Sequence, residues 1–295
     1  MIKLLALDLD GTTLNSSGQI PDANRQAIRA AEGAGVLVTI ATGRRFRDAR
    51  PVGIDLELNA PLITHNGALL KYADSDETVA CDLLSTDTSI EIVRVGKSYG
   101  SDALVSIDPH GHGELLYDRV SADNLPLKKY LRWAEGLHGG APGRVGVRHV
   151  DRLEDVLASH EIVHISFSGA CAPMLELENN LRSELCSSVT LLSTIYEHLD
   201  FTLLDLLPPN ASKGHGVARL TAIHDLEPEN VMTIGDNFND LEMLEYAGTP
   251  VVMGNADAKL LERQEFFKTS SNDENGVALA IERYILGKNC DHVVC

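Results

Sequence analysis

Apolar positions near the start of the chain come in short unbroken blocks separated by an amphipathic stretch. Lys3 to Leu9 is almost continuously apolar, the pattern of a strand buried on both faces. Pro21 to Ala34 has helical composition and runs out at Gly33 and Gly35, which stop a helix. Val36 to Ala41 is a second apolar block, and Pro61 to Thr64 is a shorter third one ending at Asn66-Gly67. Strand, helix and strand joined by short links predict a doubly wound, mostly parallel, Rossmann-like α/β sheet. The rhythm returns late in the chain. His215 to Leu226, Asp240 to Tyr246, Asp257 to Gln264 and Gly276 to Leu286 read as helices, with strands at Asn230 to Ile234 and Pro250 to Met253.

The middle has a different pattern. Thr86 to Tyr99, Leu125 to Glu135 and Pro173 to Leu185 read as helices. Ala103 to Ile107, Glu114 to Tyr117, Glu161 to Phe167 and Ser188 to Leu192 read as strands, and Gly139 to Gly146 as a glycine-rich loop. Helices and strands grouped this way predict an inserted α+β module. The expected division is an outer α/β domain from residues 1–83 and 191–295, with the module at 84–190.

Composition changes this picture little. The 295 residues are 44% hydrophobic and 23% charged, enough for a full core without disulfides or a structural metal. The charge matters more. A net −18 repels nucleic acid and anionic membranes. It also repels phosphorylated metabolites, so a phosphate site here has to be locally positive. Five scattered cysteines fit reduced thiols, and the tail Cys290 to Cys295 reads as a frayed terminus. Met1-Ile2-Lys3 leads straight into a strand-like block, and no apolar run reaches the length of a membrane span. A cytoplasmic protein is expected.

Candidate chemistry lies at the ends of the apolar blocks, where open α/β sheets bind ligands. Asp8 and Asp10 flank Leu9 at the end of the first block, before Gly11 and Thr12. On an extended chain residues i and i+2 point the same way. Two carboxylates so placed repel, and a hard dication, magnesium by preference, relieves them. Two solvated acids at a strand end leave the same trace. Thr42-Gly43-Arg44 follows the second block; a hydroxyl and glycine amides there suit a phosphate, or a plain helix cap. Lys213 stands at a helix start, where the helix dipole disfavours a cation. It fits either a phosphate partner or a surface lysine. Asp236 ends another apolar block, and Asp240 follows one helical turn later in Gly235-Asp-Asn-Phe-Asn-Asp240, so both can face one point. That string is more specific than helix capping requires.

Together these strings resemble the haloacid dehalogenase superfamily of phosphohydrolases, in its Cof-type branch with a large inserted α+β cap. The matching residues are Asp8-Leu-Asp-Gly-Thr12, Ala41-Thr-Gly-Arg44, Asn66-Gly-Ala68, Ser212-Lys-Gly214, Gly235 to Asp240 and Met253-Gly-Asn-Ala256. Thr13 departs from the usual leucine, with no expected effect on the chemistry. The resemblance implies a magnesium-dependent phosphatase of small phosphate monoesters such as sugar phosphates or phosphorylated cofactors. It makes Asp8 the nucleophile that becomes an aspartyl-phosphate and Asp10 the general acid and base. It implies magnesium held by the carboxylates of Asp8 and Asp236 and the backbone carbonyl of Asp10, with Asp240 supporting. Thr42 and Lys213 hold the phosphoryl oxygens, Asn239 contacts the phosphate or orients Lys213, and Leu9, Gly11 and Gly43 also line the phosphate site. Arg44, Asn66 and Gly67 lie near the entrance, and the cap closes over the core and selects the substrate. His65, His110 and His112 are further candidates to line the site. A phosphomutase or phosphotransferase uses the same aspartyl-phosphate, and a non-catalytic regulator is a third reading. That third reading is disfavoured because Asp8, Asp10, Thr42, Lys213 and Asp236 are all present. A monomer or homodimer is expected.

Overall fold

A computed structural model describes residues 1–138, 146–185 and 188–288. The glycine-rich loop up to residue 145, Cys186 and the Cys290 to Cys295 tail lie outside these. The strands are β1 (Leu4–Leu7), β2 (Leu37–Ile40), β3 (Leu62–Thr64), β4 (Leu69–Lys71), β5 (Thr78–Cys81), β6 (Ala103–Ile107), β7 (Glu114–Tyr117), β8 (Val147–His149), β9 (Ile162–Gly169), β10 (Thr190–Tyr196), β11 (Phe201–Leu207), β12 (Val231–Gly235), β13 (Thr249–Val252) and β14 (Phe267–Lys268). The helices are α1 (Asp22–Gly33), α2 (Phe46–Leu56), α3 (Thr86–Ser98), α4 (Leu125–His138), α5 (Leu153–Val156), α6 (Cys171–Leu185), α7 (Lys213–Ile223), α8 (Leu241–Tyr246), α9 (Ala258–Leu261) and α10 (Gly276–Tyr284).

The outer domain is built on a five-stranded parallel sheet in the order β14-β13-β12-β1-β2. β1 sits inside it, and all four of its side chains are buried. That burial explains why the first block is apolar without alternation. Each fully buried leucine there contributes roughly 1.5–3 kcal/mol. α1 buries Ala27, Ile28 and Ala31 on one face. Gly35, at φ 83°, then turns the chain into β2. The chain clusters into two compact units, Met1–Ala80 with Ser212–Cys295, and Cys81–Ala211. Among the described residues no helix is long and apolar enough to cross a membrane.

The second unit holds a six-stranded sheet in the order β10-β11-β9-β6-β7-β8, antiparallel except between β7 and β8. Ile92 of α3 and Leu177 and Leu181 of α6 share a core with Val105, Ile165 and Phe167 of the sheet. Leu127 and Leu131 of α4 pack with Leu104 and Leu115. The expected boundary at residue 191 is corrected here. β10 and β11 form a hairpin that pairs with β9 through Leu204 and Phe167. Leu191, Leu204 and Leu206 lie in this unit's own core. The hairpin's apolar face finds its partner there, so residues 191–211 belong to the module.

Candidate active site

β1 stops at Leu7, two residues before its apolar block ends. The amides of Thr13 and Leu14 donate back to the carbonyls of Asp8 (3.3 Å) and Leu9 (2.9 Å). Gly11 takes a φ of 82°. The segment is therefore a turn, and the rule that i and i+2 share a side does not apply to it. Asp8 is 4% exposed, whereas the Asp10 side chain is 59% exposed and engages Arg44. The expectation that these two carboxylates flank one cation is corrected. The acids whose oxygens converge with Asp8, all within 4.8 Å of one another, are Asp236 and Asp240.

Their convergence follows from the parallel register. Leu7 pairs with Ile40 on one side and Ile234 on the other, so Asp8, Thr42 and Asp236 come just past three adjacent strand ends. The Asp8 amide donates to the Ile234 carbonyl at 2.9 Å. Lys213, at the first position of α7, is 1% exposed. Its Nζ donates to Asp8 Oδ1 and to Asp240 Oδ1, each at 2.6 Å. Asp240 Oδ2 accepts the amides of Asp236 (2.9 Å) and Asn237 (3.0 Å). Asp240 thus both caps the turn and anchors the lysine, and the helix-cap reading and the site reading of this string hold together. Thr12 Oγ1 donates to Asp236 Oδ1 at 2.8 Å. A Cβ on Gly11 would stand 2.5 Å from Asp236 Oδ2, so glycine is required there both for φ and for space.

The Thr42 segment lies beside this group. The Thr42 amide donates to the Ile63 carbonyl at 2.9 Å, and its carbonyl accepts from the Asn66 amide at 3.1 Å. Thr42 Oγ1 accepts from the Arg44 amide at 3.1 Å, which leaves the hydroxyl proton to donate. Arg44 Nε donates to Asp10 Oδ2 at 2.8 Å, and a second guanidinium nitrogen donates to Oδ1. The guanidinium thus holds the acid in a two-point fork. The Asn66 amide lies 3.1 Å from where a Gly43 Cβ would be. Asn66 is buried, and its Oδ1 has no hydrogen-bond partner among the described residues. Gly67, at φ 93°, meets the Ser212 carbonyl where a Cβ would come within 1.9 Å. Its part is to let this turn pack on the start of α7.

Other candidates fall differently. His65 is buried, and its Nε2 accepts the Phe46 amide at 3.2 Å; it is a loop histidine tied to the backbone. His110 and His112 lie in a turn where the Gly111 amide donates to Asp108 Oδ1 at 2.9 Å and exposed His110 faces Glu161 at 3.7 Å. Asn239 is exposed, and the Lys213 ammonium is held by Asp8 and Asp240 instead. The Leu9 side chain is fully buried, so only its backbone is available to a ligand. Sequence reasoning assigned no role to Glu242, which accepts the Ser212 hydroxyl, or to Asn255, which donates to the Gly11 carbonyl. Asn255 stands in the Met253-Gly-Asn-Ala256 string, and that string was the available signal.

Charge is unbalanced in this group. Burial, then Asp240, push the Asp8 carboxyl well above its ordinary value near 3.8, against the pull of Lys213. Burial and Asp240 also raise Asp236. Burial disfavours the Lys213 charge, but Asp240 and Asp8 outweigh it and hold its pKa above the ordinary lysine value. One ammonium offsets only one of three clustered carboxylates. A hard dication with oxygen ligands suits this donor set. Asp8 and Asp236 fit as its carboxylate ligands, each keeping an oxygen that Lys213 or Thr12 does not engage. Both Asp240 oxygens are engaged by the protein, which fits a supporting place beside such a cation.

A sequence model of the haloacid dehalogenase-like hydrolases matches residues 5–281. The chain belongs to this family, as a phosphohydrolase of the branch with a large inserted α+β module. It is 30% identical to the stress response protein YhaX of Bacillus subtilis, over 96% of this chain and 93% of that one. It is also 30% identical to the 5-amino-6-(5-phospho-D-ribitylamino)uracil phosphatase YwtE of Bacillus subtilis, over 97% and 99%. The crystal structure of a haloacid dehalogenase-like hydrolase from Bacteroides thetaiotaomicron aligns with a TM-score of 0.78 at 25% identity, covering 96% of this chain and 99% of that one.

Proposed function

We propose that this chain is a magnesium-dependent phosphatase of small phosphate monoesters that works through an aspartyl-phosphate on Asp8. The observation that carries the reading is the buried Asp8 carboxylate, pinned through Oδ1 by Lys213 with Asp236 and Asp240 close by. Lys213 fixes the orientation of the carboxylate, so that one oxygen attacks phosphorus while the other would hold the cation. The ester oxygen departs with a proton from Asp10. The resulting Asp10 carboxylate then takes a proton from water, which attacks the aspartyl-phosphate, releases inorganic phosphate and restores Asp8. Arg44 holds the Asp10 carboxylate for the second transfer and gives up one of its two bonds when Asp10 carries the proton. The Thr42 hydroxyl and the Lys213 ammonium donate to the phosphoryl oxygens. Magnesium, held by Asp8, Asp236 and the Asp10 carbonyl, would offset phosphoryl charge. YwtE acts on the phosphate of a ribitylamino compound; a phosphorylated sugar, sugar alcohol or cofactor is the substrate class proposed here.

With magnesium the protein should release inorganic phosphate from an aryl phosphate, and excess EDTA should stop it. Full activity in EDTA refutes the metal assignment. Asp10→Asn should slow formation and hydrolysis of the aspartyl-phosphate by roughly 10²–10⁴-fold, the usual worth of general acid-base catalysis. Single-turnover kinetics measure both halves, and an unchanged rate removes Asp10 from that role.

A further inference from the structure

We infer that Asn255 is a positioning residue that sets the spacing between the segments carrying Asp8 and Asp236, an inference that rests on the phosphatase reading above. The loop after β13 binds both segments. Asn255 Nδ2 donates to the Gly11 carbonyl at 2.8 Å. Two residues on, the Asp257 amide donates to the Asp236 carbonyl at 3.1 Å. Asn255 Oδ1 accepts the Asn272 amide at 2.9 Å, so the side chain is itself held from behind. Asn272, buried, donates its Nδ2 to the Leu14 carbonyl at 2.9 Å, farther along the same turn.

The contact matters because clearance is small where Asn255 pulls. Gly11 approaches Asp236 so closely that a single added carbon would overlap its carboxylate. Thr12, the next residue, donates to that same carboxylate. Releasing the Gly11 carbonyl frees the turn to move relative to Asp236 and takes Asp8 with it, since the Asp8 carbonyl accepts the Thr13 amide and the Thr13 hydroxyl (2.6 Å). The side-chain hydrogen bonds of Asn255 run to Gly11 and Asn272 rather than to the carboxylates or Lys213, so it acts through Gly11.

A matched control exists in the same domain. Asn59 makes the same pair of bonds, from Nδ2 to the Val36 carbonyl at 3.0 Å and from the Val38 amide to Oδ1 at 2.8 Å, at the opposite end of β2. Asn255→Ala should lower kcat roughly tenfold with KM for an aryl phosphate within about twofold, as small displacements of catalytic groups do. It should also raise the magnesium concentration needed to shift the melting temperature by roughly tenfold or more. Asn59→Ala should lose stability but keep kcat and the magnesium response. If the two variants behave alike in an active enzyme, Asn255 is merely structural and the inference falls. Asn255→Asp keeps the acceptor for Asn272 and removes the donor to Gly11, so it serves if the alanine variant does not fold. A wild-type kcat in Asn255→Asp overturns the proposal equally. A wild-type protein that neither releases phosphate nor is stabilised by magnesium overturns the phosphatase reading and this inference with it, a result distinct from an active enzyme indifferent to Asn255.

Discussion

Asp8→Asn should abolish phosphate release, by roughly 10⁴-fold or more in kcat, the scale on which removal of a catalytic nucleophile acts. An amide oxygen cannot form the acyl phosphate at a useful rate, and Asp240, the other buried acid on Lys213, has its second oxygen engaged by the Asp236 and Asn237 amides. The same variant should not unfold the protein. Asp8 is held above its ordinary pKa by burial and then by Asp240. A raised carboxyl pKa contributes stability that is full below the unfolded value near 3.8 and is lost as pH rises through the folded value. Above the folded value the ionised Asp8 is therefore a strain on the metal-free protein, and an uncharged asparagine relieves it. The melting temperature without magnesium should equal or exceed that of the wild type, while the rise produced by magnesium should shrink. Retained turnover refutes Asp8 as nucleophile. A variant that melts well below the wild type without metal refutes the electrostatic account.

Lys213→Met should cost the most stability of any change in the site, about 3–5 kcal/mol, the usual penalty for stranding a buried charge partner. The ammonium is fully buried and donates to two acids at 2.6 Å. Without it Asp8 and Asp240 lose the ammonium that they share, with Asp236 close by. Lys213 lowers the Asp8 pKa, so its removal raises that pKa further. The deficit should then grow as pH rises through the folded value and narrow in acid, where protons take the lysine's place. Urea unfolding across a pH series from acid to alkaline follows this trend. A deficit that does not change with pH contradicts the assignment of Lys213 as the charge partner of this cluster. Activity should fall with stability, since the lysine also donates to the phosphoryl group in the proposed reaction.

Much of the outer domain was legible because its signals are local. The apolar block at Leu4 to Leu7 reads as a buried parallel strand from composition alone, since both faces of such a strand lie in the core. The strand ends then place Asp8, Thr42 and Asp236 at one edge, because parallel strands in register bring their carboxyl ends together. The β10–β11 hairpin was misplaced for the opposite reason. Its leucines show that the strands are buried but not which sheet buries them, and that depends on pairing with β9, about thirty to forty residues earlier in the chain. Asp10 shows the same limit at close range. Its spacing from Asp8 has one meaning on a strand and another in a turn, and the change at Leu7 depends on return bonds from Thr13 and Leu14.

By itself, then, the sequence determined which residue types stand at the sheet edge, the parallel α/β class of the outer domain and its interruption by an α+β module. Short-range hydrophobic pattern and motif spacing suffice for those. Only the tertiary structure decided how the residues are shared out. Asp240 is spent on Lys213 and the turn amides, Arg44 on Asp10, Gly67 on the start of α7, and Asn255 on the Gly11 carbonyl. These pairings join segments up to 244 residues apart, and nothing within a local window of chain specifies them. The Asp8 carboxylate is set by the sequence at a strand end, but Lys213 reaches it only once α7 has packed beside β1.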